Sequence, residues 1–313
     1  MLEGWRVGVV IPARNEEQFI ASVLENLPEW VDLAVVVDDG STDSTKKRAT
    51  EANAKCPVTV LWGQGEGVGA SIDRGHRHLL QNLAQPFASV VMAGDDQMSP
   101  EDLPNVLHPV VRGECDHVKG NRGLHSNGFE GMPRIRRWAT TLLSWFTTLA
   151  AGQPVGDPQC GYTATSSTVL ASWNWNRSWR GYGYPNHWLI RLSTQGWRWK
   201  EVPVQSIYRN ETSGLKPLRF FCTVGPMMAL EHHRRNIAWL KPPHLLPHTW
   251  FALLAYAIGW SALLPFMSND LEVALIERGV PSVAITLFFW TIAHVFDRTA
   301  ARTRKELRSN AKA

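Results

Sequence analysis

Over its first hundred residues the chain alternates short, uninterrupted apolar runs with amphipathic stretches. Val7–Ile11, Val35–Val37, Val58–Leu61 and Ala88–Met92 are rich in β-branched residues, as expected of strands buried on both faces. Phe19, Ile20, Val23, Leu24 and Leu27 recur at helical spacing after the first run, and Ile72, His76, Leu79 and Leu80 do so after the third. Strands alternating with helices predict βαβ units, right-handed crossovers and a mostly parallel α/β sheet flanked by helices. Asp38 and Asp39 end the second run, where such sheets bind ligands. Read alone, VVVDDGSTDST fits equally a capped strand-to-helix turn with no ligand, with Ser41, Thr42, Asp43 or Ser44 as the cap.

The pattern changes after Pro217. Leu218–Leu240 mixes Phe220, Phe221, Met227, Met228, Ile237 and Trp239 with Arg219, His232, His233, Arg234 and Arg235, which fits ordinary helices packed on the sheet but, with spanning helices expected next, reads rather as a segment lying in a membrane interface. Residues 242–269 contain no Asp, Glu, Lys or Arg; Trp250–Met267 and Val280–Phe296 are each apolar all round, as membrane-spanning helices are. The division expected is an α/β domain over 1–217, an interfacial segment over 218–247, a two-helix transmembrane hairpin over 248–296 and a basic tail over 297–313. Asp270, Glu272 and Glu277 sit in the loop between the spans, whereas Arg298, Arg302, Arg304, Lys305, Arg308 and Lys312 follow them. The positive-inside rule therefore predicts an integral membrane protein, in the cytoplasmic membrane, with its α/β domain and tail on the cytoplasmic side.

Composition adds boundaries to this picture. A net charge of +4 on 313 residues, without a long basic run in the first two-thirds, argues against a nucleic-acid partner. The four cysteines stand singly, which suggests neither a zinc site nor a disulfide framework. The chain reaches its first strand by Val7, and nothing before it reads as a cleavable signal. Fifteen tryptophans, concentrated after Trp138, suit an interface between water and lipid. Oligomeric state is left open.

Asp95 and Gln97 follow the fourth run at i and i+2. On an extended backbone both side chains point one way and Asp96 the other, giving two hard oxygen ligands suited to Mg²⁺ or Mn²⁺. A turn capped by Ser99 ahead of Pro100 is compatible with that use.

VVIPARNEE, VVVDDGSTDST, GEGVGAS and VVMAGDDQMSPEDLP, in this order, resemble the family 2 glycosyltransferases of GT-A (Rossmann-like) fold. VKGNR, DPQCGYTA, GYGYPNHWLIRL and EVPVQSIYRNETSGLKP extend the resemblance to the polyprenyl-phosphate branch of that family, the type of dolichol-phosphate mannose synthase. The resemblance implies that Pro12, Arg14 and Glu16 hold the nucleoside, that Asp38 and Asp39 contact base and ribose, and that Gly67 and Gly69 form the loop beside the nucleotide. Asp95 and Gln97 match the metal motif, and Asp157, Gln159 and Gly161 the acceptor loop near the sugar. Arg122, Arg134, Arg137 and Arg209 are implied for the acceptor phosphate, supported by Ser213 and Lys216, since a guanidinium meets phosphate oxygens as a fork.

Three positions depart from the family pattern. Ala93 replaces the first Asp of the metal motif, Val68 stands where a Lys is common, and His187 follows Asn186 where an acid is common. The implied reaction moves a sugar from a UDP- or GDP-sugar to a polyprenyl phosphate with inversion, Asp95, Asp157, Arg122 and Arg137 acting at the reacting centre. A processive polysaccharide synthase is suggested by RIRRW at 134–138, but the segment precedes Asp157 and two helices are few for a polymer channel. An accessory subunit without catalysis is suggested by Ala93.

Overall fold

The computed structural model describes residues 1–126, 132, 134–205, 207, 217–240, 246–262 and 279–310. Seven strands form one sheet: β1 (Arg6–Ala13), β2 (Leu33–Asp38), β3 (Val58–Trp62), β4 (Phe87–Val91), β5 (His117–Asn121), β6 (Thr163–Ser166) and β7 (Trp199–Pro203). Their order across the sheet is β3-β2-β1-β4-β6-β5-β7, and β6 alone runs antiparallel, to both β4 and β5. The chain winds outward from β1 to β3, then returns to place β4 on the other side of β1. That reversal opens a crevice at the carboxyl ends of β1 and β4.

The helices of the sheet region are α1 (Ile20–Glu25), α2 (Thr45–Glu51), α3 (Val68–Asn82), α4 (Leu103–Val111), α5 (Arg134–Ala151), α6 (Ser167–Ser172) and α7 (Tyr184–Gln195). Alternate residues of β1 explain the two helical layers. Val7, Val9 and Ile11 pack with Ile20, Leu24, Val106 and Leu107 in the main core. On the opposite face a Cβ at Gly75 of α3 would lie 2.3 Å from the Val10 side chain, so absence of a side chain lets α3 approach the sheet closely.

Contacts divide the chain into two units, Met1–Thr147 with Val155–Met228, and Thr148–Pro154 with Ala229–Ala313. The helix α8 (Pro217–Ala238), which covers most of the segment expected to be interfacial, contributes residues to both. In the second unit α9 (Pro247–Ser261) packs on α10 (Gly279–Asn310) through Ala252, Ala255, Tyr256 and Ala293. Arg235 and Asp297 form a wholly buried ion pair at 2.6 Å, and the Arg235 and Arg304 guanidinium groups lie 4.4 and 4.0 Å from the Trp239 ring centre. Trp250, Phe251, Leu254, Leu287, Phe288 and Val295 are exposed.

Among the described residues no helix is long and apolar enough to cross a membrane, so the transmembrane hairpin expected over 248–296 is not carried by α9 and α10 as described. α9 spans 15 residues, with 263–267 of the expected first span outside the described residues. α10 spans 32 residues, but Thr286, Thr291, His294, Asp297 and Arg298 interrupt its apolar run.

Candidate active site

The exits of the central strands are stitched together by their backbones. Asp39 N–H donates to Ala13 O at 2.9 Å, Gly63 N–H to Asp38 O at 2.6 Å and Gly94 N–H to Pro12 O at 3.1 Å. Pro12 lies in β1 opposite Val37. Beyond it Arg14 is exposed, and Asn15 takes a φ of 58°, its carboxamide oxygen accepting from Thr42 N–H at 2.9 Å. Glu16 N–H donates to Thr45 Oγ1 at 2.7 Å, so the turns after β1 and β2 are one structure. The N-cap of α2 is Ser44, whose side chain makes no capping bond; instead Asp43, just before it, accepts from Thr45 N–H at 3.0 Å, and although burial opposes it, hydrogen bonds from Thr45 and Glu17 hold the Asp43 carboxyl below its usual range.

Asp38 and Asp39 are both buried and do different things. Asp38 Oδ1 accepts from Ser41 N–H at 2.8 Å, while Asp38 Oδ2 has no hydrogen-bond partner among the described residues. Asp39 instead accepts from Glu66 N–H at 2.9 Å and Gly67 N–H at 2.8 Å, one per oxygen. Its carboxylate thereby fixes the glycine loop. Gly67 has a φ of 101°, and a Cβ on Gly69 would lie 2.1 Å from Trp179 O. These two glycines let the loop seat against the backbone of residues 179–180, where Gly69 N–H donates to Arg180 O at 2.8 Å.

The turn after β4 departs from the extended geometry expected of it. Asp96 has a φ of 57°, and Asp95 Oδ1 accepts from Gln97 N–H at 3.2 Å, so the acid and the amide belong to a tight turn and do not project from one extended face. Asp96 is buried and accepts from Ser22 Oγ at 3.4 Å. Asp95 and Gln97 are half-buried at the sheet edge. Among the described residues no group of three or more His, Cys, Asp or Glu is placed to hold a metal ion. The oxygen-only donors Asp95 and Gln97 nevertheless fit a hard cation that takes its other ligands from a diphosphate and water.

Arg122 at the exit of β5 and Asp157 ahead of β6 come together as a buried bidentate pair, Nε to Oδ2 at 2.6 Å and a terminal nitrogen to Oδ1 at 2.9 Å. Burial alone would raise the Asp157 pKa, but the hydrogen bonds and charge of Arg122 outweigh it and hold the carboxyl below its usual range. Glu201 of β7 accepts from Gly156 and Asp157 N–H at 2.9 and 3.1 Å and from Asn121 Nδ2 at 2.9 Å, fixing the same turn. The buried Lys119 ammonium donates to Cys160 O, and burial lowers its pKa. Gln159 donates to Asn186, which in turn donates to Thr147 Oγ1 at 2.7 Å. Gly161 follows in the turn, and His187 is buried in α7.

Of the residues expected at the site, Pro12, Glu16, Asp38, Asp39, Asp95, Gln97, Arg122 and Asp157 thus lie along one edge of the sheet. Arg137 is exposed on α5; Arg134 starts that helix. Arg209, Ser213 and Lys216 lie outside the described residues. Glu201, Asn186, Lys119 and Asp73 were not singled out from the sequence as site residues. Burial pushes the Asp73 carboxyl of α3 up to about 7, and it accepts from Ser178 Oγ and Tyr184 Oη at 3.0 Å each. The sequence carries no signal for Asp73, whose neighbours at helical spacing are Gly69, Ala70, His76 and Arg77.

This doubly wound sheet, with acids gathered at the carboxyl ends of β2 and β4, is a GT-A-like α/β fold. The sequence profile of glycosyl transferase family 2 matches residues 8–197, and the chain belongs to that family. It is 31% identical over 201 residues to an uncharacterised protein of Methanocaldococcus jannaschii, covering 64% of this chain and 81% of that one. It is 28% identical to the UDP-N-acetylglucosamine–dolichyl-phosphate N-acetylglucosaminyltransferase of Methanococcus voltae (64% and 85% covered) and 28% identical to a dolichyl-phosphate hexose transferase of Haloferax volcanii (70% and 90% covered). In fold it resembles glucosyl-3-phosphoglycerate synthase of Mycobacterium tuberculosis, crystallised with Mn²⁺, UDP and phosphoglyceric acid, with a TM-score of 0.54, 23% identity and 74% and 78% of the two chains covered.

Proposed function

We propose that the protein transfers a sugar from a UDP- or GDP-sugar to a polyprenyl phosphate, inverting the anomeric centre and yielding a lipid-linked monosaccharide. The observation that carries this reading is the Asp38 carboxylate, wholly buried at the exit of β2 with one oxygen lacking a partner among the described residues. A buried carboxylate oxygen is costly unless a donor reaches it, and the N–H of a base or a ribose hydroxyl is such a donor. Asp39 holds the glycine loop beside it through the Glu66 and Gly67 amides. Pro12, Arg14 and Glu16 complete the nucleoside end. Asp95 and Gln97 would hold a Mg²⁺ or Mn²⁺ ion, whose contribution is to neutralise the departing diphosphate.

The acceptor side supports a phosphate nucleophile. Asp157 is engaged by Arg122 at 2.6 Å, so using it as a proton acceptor would break a buried ion pair. A phosphate monoester is already ionised at neutral pH and needs positioning more than a strong base. On this reading Arg122, Asp157, Glu201 and Gln159 position the turn at 156–161, while Arg134, Arg137, Arg209, Ser213 and Lys216 receive the phosphate. The dolichyl-phosphate relatives point to the same acceptor class. Membrane attachment follows from that acceptor, and the exposed apolar residues of α9 and α10 suit contact with lipid.

A panel assay tests the proposal. Full-length protein is incubated with UDP- and GDP-sugars and either polyprenyl phosphate or 3-phosphoglycerate. One sugar on the lipid is expected; a sugar on phosphoglycerate, or a polymer, would contradict it.

A further inference from the structure

The glycine loop does not stand alone at the sheet edge, because the segment Ser178–Tyr184 is fastened once to its Gly69 end and twice to the helix α3 that follows it. Arg180 O accepts from Gly69 N–H at 2.8 Å, and both Ser178 and Tyr184 donate to Asp73 at 3.0 Å, five residues further along α3 than Val68. The Gly67 Cα leaves no room for a side chain against this segment, since a Cβ there would be 2.6 Å from Arg180 O. The backbone of Arg180 is therefore pinned to the loop that Asp39 holds. Its side chain is not: it is 73% exposed, with one guanidinium nitrogen 3.8 Å from Glu66. An exposed pair at that distance contributes little, and Arg74 already meets Glu66 at 2.6 Å. Arg180 can therefore exchange partners at small cost.

The edge has an unbalanced charge that a donor would make worse. Asp38, Asp39, Glu16 and Asp95 line the strand exits, and a nucleotide sugar brings a diphosphate to them. Arg122 is committed to Asp157 and Arg74 to Glu66, and Arg14, exposed beyond β1 beside Gly65, is taken by the nucleoside end on the reading above. We infer that Arg180 is a further donor-binding residue, its guanidinium leaving Glu66 to take the diphosphate of the nucleotide sugar. Because its main chain rides on the glycine loop, the cation is delivered to the same place each time the nucleoside is held, while the long side chain supplies the reach. A planar fork suits two diphosphate oxygens better than an ammonium does. This assignment rests on the nucleotide-sugar reading above.

The test is equilibrium binding to the full chain in Mg²⁺, using UDP, UMP and uridine together with GDP, GMP and guanosine. For whichever base the wild type prefers, Arg180→Ala is expected to weaken the diphosphate about ten- to a hundredfold, the range for a hydrogen bond to a charged group, and to leave the nucleoside unchanged. Arg180→Lys should recover part of the loss. Unchanged diphosphate affinity in Arg180→Ala would overturn the assignment. An equal loss for nucleoside and diphosphate would also overturn it, because it would mean the loop had lost its shape. A wild type that binds neither diphosphate would overturn the nucleotide-sugar reading itself, and the assignment with it.

Discussion

Asp73 and His76 lie one helical turn apart on α3 and respond to acid in opposite directions. Burial pushes Asp73 up to about 7, and pushes His76 and His117 down to about 3. His76 hydrogen-bonds Ser89 and His117 hydrogen-bonds Thr165, so both are accommodated as neutral rings. For the two histidines the folded pKa lies below the unfolded one. Their contribution to stability is present above about 6.5 and is lost as pH falls toward 3. For Asp73 the folded pKa lies above the unfolded one, so its contribution is lost as pH rises from about 4 to about 7. Asp73→Asn therefore gains stability relative to the wild type across that window, on the order of 4 kcal/mol at about 1.4 kcal/mol per pKa unit, and the difference levels off above it. Thermal melts of both proteins from pH 4 to 8 check this. A difference independent of pH would show that Asp73 is ionised throughout.

At the scale of elements, the glycine loop and the Ser178–Tyr184 segment form a single seat. Gly69→Ala would force a Cβ to 2.1 Å from Trp179 O, which is backbone and cannot swing aside. Gly113 has a φ of +70° and open space around its would-be Cβ, so Gly113→Ala pays only the conformational cost. The latter should lower stability by about 1 kcal/mol. Gly69→Ala should lower it by roughly 1–3 kcal/mol and also abolish nucleotide binding, since it displaces the loop that Asp39 holds. Equal effects of the two substitutions on binding would contradict this view.

The first four strands were legible because each is a β-branched run flanked by turn residues. β5, β6 and β7 were not. HVKGN, TATS and WKEVP are short and polar; the first two are strands because their neighbours bury them, and WKEVP, only partly buried at the sheet edge, is one because it pairs with β5. Lys119 shows why: it is fully buried in β5, where its ammonium is satisfied by Cys160 O, a partner 41 residues away. The candidate site was legible as a set of residues, through their order along the chain and the resemblance. Its wiring was not. The Arg122–Asp157 pair spans 35 residues, and Glu201 reaches the same turn from β7. Asp95 and Gln97 were read as an extended pair, whereas Asp96 at a φ of 57° makes the segment a turn.

For the whole molecule, the second unit carries the exposed apolar side chains of α9 and α10. Its interior holds the Arg235–Asp297 pair beside the apolar contact of Ala252, Ala255, Tyr256 and Ala293, and its exterior shows Trp250, Phe251, Leu287 and Phe288. Large exposed apolar patches mark surfaces that meet lipid or protein. On the proposed function the chain works at a membrane, and it should co-float with phospholipid vesicles through its exposed apolar residues. Failure to float with vesicles would mean that the exposed residues of α9 and α10 serve another contact. The buried pair should be required in either case: Asp297→Asn leaves Arg235 without its counter-charge and is expected to cost about 3–5 kcal/mol, measured by denaturation of the full chain.

Transfer of a labelled sugar from its nucleotide to polyprenyl phosphate, compared between the wild type and Asp95→Asn in the full chain, tests the account most directly. The wild type should yield one organic-extractable glycolipid carrying a single sugar. The variant should yield none while its melting temperature stays near that of the wild type. Undiminished glycolipid from Asp95→Asn, or no glycolipid from the wild type with any donor of the panel, would contradict it.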